Sequence, residues 1–99
     1  GKFCAEAFGV YYDRYVNNSR LPGCAVHDAV AVTYLLHPEW IKTKRANVKV
    51  DIDGKETLGQ TVCDFRENRI KSMDNATVCL DIDREKFIDL LVDACKNCK

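Results

Sequence analysis

Ninety-nine residues, with 15 Lys and Arg against 15 Asp and Glu and 46% hydrophobic content, fit one modest soluble domain. The balanced charge argues against a nucleic acid polymer as partner, because that needs a basic surface to neutralise phosphates. No apolar run is long enough to cross a bilayer, and the first residues lack the basic patch, apolar stretch and cleavage site of a secretory signal. The chain begins Gly1-Lys2 without an initiating Met, which points to processing or to a piece of something longer.

Cys4, Ala7, Phe8, Tyr11, Tyr12 and Tyr15 recur at helical spacing, so the pattern predicts an amphipathic helix over about residues 3–17. Asn17-Asn18-Ser19 ends it and Leu21-Pro22-Gly23 predicts a turn. A second helix is expected from His27 or Asp28 to Leu36, stopped by His37-Pro38. It is apolar almost all round, and such a helix is normally buried on several sides. The remaining residues hardly supply the elements to surround it.

Val48, Val50 and Ile52 alternate with polar neighbours as a strand does. Asp53-Gly54 then signals a β-hairpin, with a return strand over Lys55–Cys63. Gly59 within that return suggests a bulge or a close backbone approach. A polar loop over 64–75 leads to a third strand at Thr77–Ile82, after which Asp83 is a natural N-cap. The last helix carries Phe87, Leu90, Leu91 and Ala94 as its core stripe. The expected order is α-α-β-β-β-α.

Of Cys4, Cys24, Cys63, Cys79, Cys95 and Cys98, Cys63 and Cys79 are strand-like and Cys4 lies on a helix face, positions that suit free cysteines acting as small buried hydrophobes. Cys95-Lys96-Asn97-Cys98 lacks the second pair or His that a zinc site needs. It also ends a helix, whereas a thioredoxin-type motif would open one. The sequons at Asn17 and Asn75 matter only in a secreted protein.

Gly23-Cys24-Ala25-Val26-His27-Asp28-Ala29 places a His beside an Asp where a loop enters the apolar helix. Two readings stand side by side. Asp28 complements the helix dipole and His27 is an ordinary surface residue; or Asp28 is a metal ligand and His27 faces a reacting group, since His moves protons near neutral pH.

Leu21-Pro22-Gly23-Cys24-Ala25-Val26-His27-Asp28-Ala29-Val30-Ala31-Val32 resembles the His-Asp segment of the calcium-dependent nucleoside hydrolases of the inosine–uridine-preferring type. The likeness continues in order through Leu36-His37-Pro38-Glu39, Lys44–Val50, Leu58–Asp64 and Asn75–Phe87. Two departures are Ala29, where the family often has Pro, and Leu58, where Arg is frequent. They are expected to affect helix start and loop packing more than metal binding.

The resemblance covers only the C-terminal third of family members. It implies an α/β fold, the C-terminal portion of an open, mostly parallel sheet, with residues 1–99 as one partial domain. It implies further that Asp28 is one ligand of Ca2+, that His27 lies beside the departing base, and that Tyr11 and Tyr15 contact the base. The tyrosines share a helix face, and core packing is their plain alternative. In the family, calcium holds the ribose hydroxyls and the attacking water while the N-glycosidic bond of a ribonucleoside is hydrolysed through a sugar cation-like transition state. The family's Asp-rich N-terminal motif has no counterpart here. Asp51-Ile52-Asp53 and Asp81-Ile82-Asp83 do not replace it, because each sits at a strand end beside a turn or cap.

Calcium takes about six to eight oxygen ligands and Asp28 offers at most two, so the segment alone is expected to be inactive. The expected partners are a ribonucleoside and the remainder of the enzyme or a second copy, with no membrane. The family is commonly intracellular, so a cytoplasmic location is expected, while the sequons and cysteines keep secretion open. A second hypothesis is a non-catalytic shortened relative acting as a binding or assembly module, its apolar helix covered by a partner. A third, a secreted disulfide-stapled domain, requires paired thiols.

Overall fold

The computed structural model describes residues 1–19 and 22–98; Leu21, in the predicted turn, lies outside the described residues. Its elements are α1 (Lys2–Ser19), α2 (His27–Leu36), β1 (Ile41–Val50), β2 (Thr61–Asp64), β3 (Ala76–Ile82) and α3 (Arg84–Asn97). Single 3-10 turns at Pro38–Trp40 and Lys71–Met73 are added to the predicted order. The chain divides into a helical unit, Gly1–Trp40 with Asp83–Lys99, and a sheet unit, Ile41–Ile82.

In the sheet unit the strand order is β2-β1-β3, and both pairs are antiparallel. The antiparallel β1–β2 pair is the expected hairpin, while the mostly parallel sheet is not seen in these three strands. The reason lies in the connection: the short loop 51–60 carries no helix, and a parallel neighbour would need a long crossover. β1 begins at Ile41, earlier than its alternating stretch suggests, because a register shift between Lys42 and Thr43 disturbs the two-residue period.

The predicted hairpin around Asp53-Gly54 joins β1 to β2, yet its return strand starts at Thr61 rather than Lys55. Asp51 explains the wider loop. Its Oδ1 accepts the amides of Asp53 at 3.0 Å and Gly54 at 2.9 Å, and its other oxygen accepts the Thr57 hydroxyl. These bonds satisfy the turn locally and keep the following residues out of the ladder. A Cβ on Gly54 would collide with the Asp51 carboxylate and the Thr57 hydroxyl. Gly59, at φ +85°, takes the left-handed conformation that lets its amide reach the Asp51 carbonyl at 2.7 Å.

Ala46 on β1 is fully buried, and the loop between β2 and β3 is anchored to β1 by polar bonds. Arg69 sends Nη2 to the Arg45 carbonyl at 3.0 Å and Nη1 to the Arg66 carbonyl at 3.1 Å. Arg45 in turn donates to the Asp74 carbonyl at 2.7 Å. Asn75, just before β3, pairs with Val48 as a strand residue would: Oδ1 accepts the Val48 amide at 2.8 Å and Nδ2 donates to its carbonyl at 2.9 Å. That Nδ2 is the atom a glycan on the Asn75 sequon would take.

In the helical unit, Asp83 caps α3 by accepting the Lys86 amide at 3.2 Å, a type of bond worth about 1 kcal/mol. Phe87 is buried; Leu90 and Leu91 are half-buried and Ala94 is exposed, so the predicted stripe is only partly covered. Ala29, Val32, Thr33 and Leu36 of α2 line one apolar hollow with Phe87, Leu90, Leu91 and Ala94 of α3. Cys4, Ala5 and Phe8 of α1 line another with Leu91, Val92 and Cys95.

Two expectations about burial are corrected. The apolar α2 buries only Thr33, whose hydroxyl donates to the Ala29 carbonyl at 2.8 Å, and Leu35 remains 80% exposed. The two other helices of this unit do not cover a helix that is apolar on every side. The six cysteines are free, but none is buried: Cys79 and Cys98 are exposed and the other four half-buried.

Candidate active site

His27 and Asp28 are the first two residues of α2, where backbone amides of the opening turn lack helical partners. Val26 stands at the N-cap and offers no side-chain cap, so neither His27 nor Asp28 is consumed in closing the helix start. Asp28 in the first turn complements the positive end of the helix dipole, as the plain reading of this residue expects. Both side chains are exposed, and among the described residues neither makes a side-chain hydrogen bond or ion pair.

Tyr11 and Tyr15 come from the C-terminal half of α1, their rings tilted at 53° with centroids 4.9 Å apart. The Tyr11 hydroxyl donates to the Ala25 carbonyl at 2.8 Å, which ties α1 to the loop leading into α2. Hydrogen bonding with the Tyr15 side chain, then partial loss of water and the fields of Tyr15, Cys24 and Asp28, push the Tyr11 phenol up to about 12. Tyr11 and Tyr15 thus pack together, and Tyr11 is bonded to a carbonyl three positions before Asp28. No hydrogen bond among the described residues joins His27 to either tyrosine.

The far end of α2 is fixed by a separate cluster. The His37 amide bonds the Thr33 carbonyl at 2.8 Å, while its ring stacks on Trp40 at 3.9 Å and 5°. His37 Nδ1 lies 3.1 Å from Glu39 Oε1. Glu39's own backbone amide, and then His37, hold its carboxyl below the usual range. In the sequence His37 reads as a helix stop and as part of the family-like stretch Leu36–Glu39, with no sign of its stacking on Trp40. The Tyr11 bond escaped it altogether, because its acceptor is a backbone carbonyl that no residue type advertises.

Ca2+ can be tested against these side chains. Asp28 presents an accessible carboxylate, but no group of three His, Cys, Asp or Glu among the described residues could hold a metal. Asp51 is occupied by its turn and Asp83 by its cap, as their sequence settings suggest. The described residues alone therefore do not make a calcium site, since the ion needs about six to eight oxygens.

A family model described as "Inosine-uridine preferring nucleoside hydrolase" matches residues 1–89. The chain belongs to this family. It is 38% identical over 93 residues to an inosine-uridine preferring nucleoside hydrolase of Crithidia fasciculata, covering 94% of this chain and 29% of that protein. It is 40% identical over 77 residues to the pyrimidine-specific ribonucleoside hydrolase RihA of Shigella boydii serotype 4 (strain Sb227), covering 75% of this chain and 24% of that protein. The RihA of Escherichia coli O1:K1 / APEC is 40% identical over 74 residues, with the same two coverages. The chain thus spans between 24% and 29% of the length of these curated relatives. No described helix is long and apolar enough to cross a membrane.

Proposed function

We propose that this chain is the C-terminal part of a nucleoside hydrolase that cleaves the N-glycosidic bond of a ribonucleoside to free base and ribose. The observation that carries it is the family match over residues 1–89, which includes His27-Asp28 at a helix start beside the Tyr11–Tyr15 pair. In this reading water adds to the anomeric carbon as the bond to the base breaks, with positive charge building on the sugar. The proton gained by the departing base comes from the side of His27, acting as general acid. The faces of Tyr11 and Tyr15 bound the base. Asp28 serves as one ligand of a calcium ion whose other ligands lie outside these residues. An open, mostly parallel sheet belongs to the same remainder, and residues 1–99 form one partial domain of the whole. Purine and pyrimidine salvage in the cytoplasm is the role this chemistry fits.

The test is a chimera in which residues 1–89 replace the matching segment of the Crithidia relative, assayed with inosine and uridine. His27→Ala is expected to lower kcat by about 100-fold or more, with a much smaller rise in KM. An unchanged kcat would remove His27 from the chemistry.

A second reading, a non-catalytic module held against a partner, is favoured by one observation: the exposed apolar face of α2, with Leu35, Leu36 and Val32 in solvent. Light scattering on the 99-residue chain separates the two, since a stable monomer contradicts the module.

A further inference from the structure

We propose that Tyr11 is a positioning residue, whose hydroxyl latches the Ala25 carbonyl and so fixes the approach of the chain to His27 and Asp28. The proposal rests on the hydrolase reading above and assigns Tyr11 a task separate from contact with the base.

Residues 22–26 carry no regular structure, and the helix-type bond that reaches them, from the Val30 amide to the Val26 carbonyl, is long at 3.4 Å. Val26 supplies no side-chain cap, leaving α2 to start without the usual local lock. Against this, the Tyr11 hydroxyl makes a 2.8 Å bond to Ala25, fourteen positions away in sequence and two before His27. The Tyr11 phenol carries its proton at neutral pH and donates it to the Ala25 carbonyl, which helix α2 leaves unused; its oxygen can still accept from Tyr15. The Tyr15 ring, 4.9 Å away, limits how far the Tyr11 ring can swing. Helix α1 thereby tethers a short loop, and the loop sets where the His27 ring stands. Loss of such a constraint misplaces a reacting group without removing it, and a misplacement of about 1 Å costs as much as 100-fold in rate.

Two experiments decide it. In the 99-residue chain with 13C-labelled alanine, Tyr11→Phe is expected to move the Ala25 carbonyl carbon upfield while Ala29 and Ala31 stay in place. An unmoved Ala25 signal overturns the latch. In the chimera with the Crithidia relative, Tyr11→Phe is expected to lower kcat about tenfold with KM changed less than about twofold. The same substitution in the His27→Ala background should cost less than about twofold, because a positioning residue acts through the group it positions. Placing 4-aminophenylalanine at position 11 restores a donor without an acidic phenol and should recover most of the lost kcat. Failure of that rescue, or full additivity with His27→Ala, overturns the latch while leaving the hydrolase reading intact. If instead His27→Ala alone leaves kcat unchanged, the hydrolase reading of the site fails first.

Discussion

Arg69 and Asp74 form a two-pronged ion pair in the sheet unit, with Nε 3.0 Å from Oδ1 and Nη2 2.8 Å from Oδ2. Both side chains are only 7% exposed, and the same guanidinium also bonds the carbonyls of Arg45 and Arg66. A pair this enclosed punishes the loss of one partner more than it rewards the presence of both. Arg69→Met is therefore expected to lower the melting temperature by on the order of 5 °C or more. The double variant Arg69→Met with Asp74→Leu should regain much of that loss. Thermal unfolding followed by circular dichroism checks both; a double variant worse than the sum would contradict the pairing.

The same contacts predict an acid limit. Arg69 holds the Asp74 carboxyl below the usual range, Arg66 holds Asp64 at about 2, and the Thr57 hydroxyl leads the bonds that lower Asp51. A carboxyl lowered by folding contributes stability above its unfolded value, near 4, and loses it as pH falls towards the folded value. The urea midpoint is expected to be level from about pH 7 to 5 and to fall between about pH 4 and 2. Asp64→Asn should flatten the lower part of that fall.

Asn75 replaces a rung of the sheet with its side chain, through both its oxygen and its nitrogen. Asn75→Asp keeps the acceptor but loses the donor to the Val48 carbonyl and adds a charge. The expected cost is about 1 kcal/mol, read as a lower urea midpoint with unchanged slope. Because the acceptor survives, Asn75→Ala should cost more than Asn75→Asp at low pH, where the new carboxyl is neutral and can donate.

Asp28 is expected to matter to calcium only in a complete protein. Isothermal titration of the 99-residue chain should show no saturable calcium binding, because one carboxylate falls far short of a coordination shell. The chimera with the Crithidia relative should bind the ion, and Asp28→Ala should weaken that binding by at least about tenfold. Equal affinities in the two chimeras would take Asp28 out of the ligand set.

The thiols should react in a set order. Exposed Cys79 and Cys98 are expected to alkylate first. Burial, then hydrogen bonding with Cys4, pushes the Cys95 thiol up, so it holds less reactive thiolate and should lag. Mass spectrometry of iodoacetamide-treated peptides over time reads the order, and six modified thiols would remove the disulfide-stapled alternative.

Much of this molecule was legible in one dimension. The periods of 3.6 and 2 located α1, β1 and α3, because burying one face of a helix or strand leaves its spacing in the chain, while turn and stop signals placed the other three. Asp83 as a cap, His37-Pro38 as a stop and the family motif around His27-Asp28 are equally local, set by residue types a few positions apart. The start of β2 was not legible, because Asp51 spends its carboxylate on amides of its own loop and delays the ladder to Thr61. The hairpin signal at Asp53-Gly54 made β1–β2 antiparallel in sequence, but the pairing of β3 with β1 was not legible, because a long polar loop separates β2 from β3.

Length and balanced charge allowed one complete small domain, and the all-round apolar α2 already spoke against it. The tertiary structure decided the matter of cover: three helices leave Leu35 and Leu36 in solvent, because burial depends on what lies opposite a face. It also decided that Tyr11 meets Ala25 and Arg69 meets Asp74. Those bonds join groups by geometry in space, and a backbone carbonyl or a surface-type arginine carries no mark of its partner in sequence.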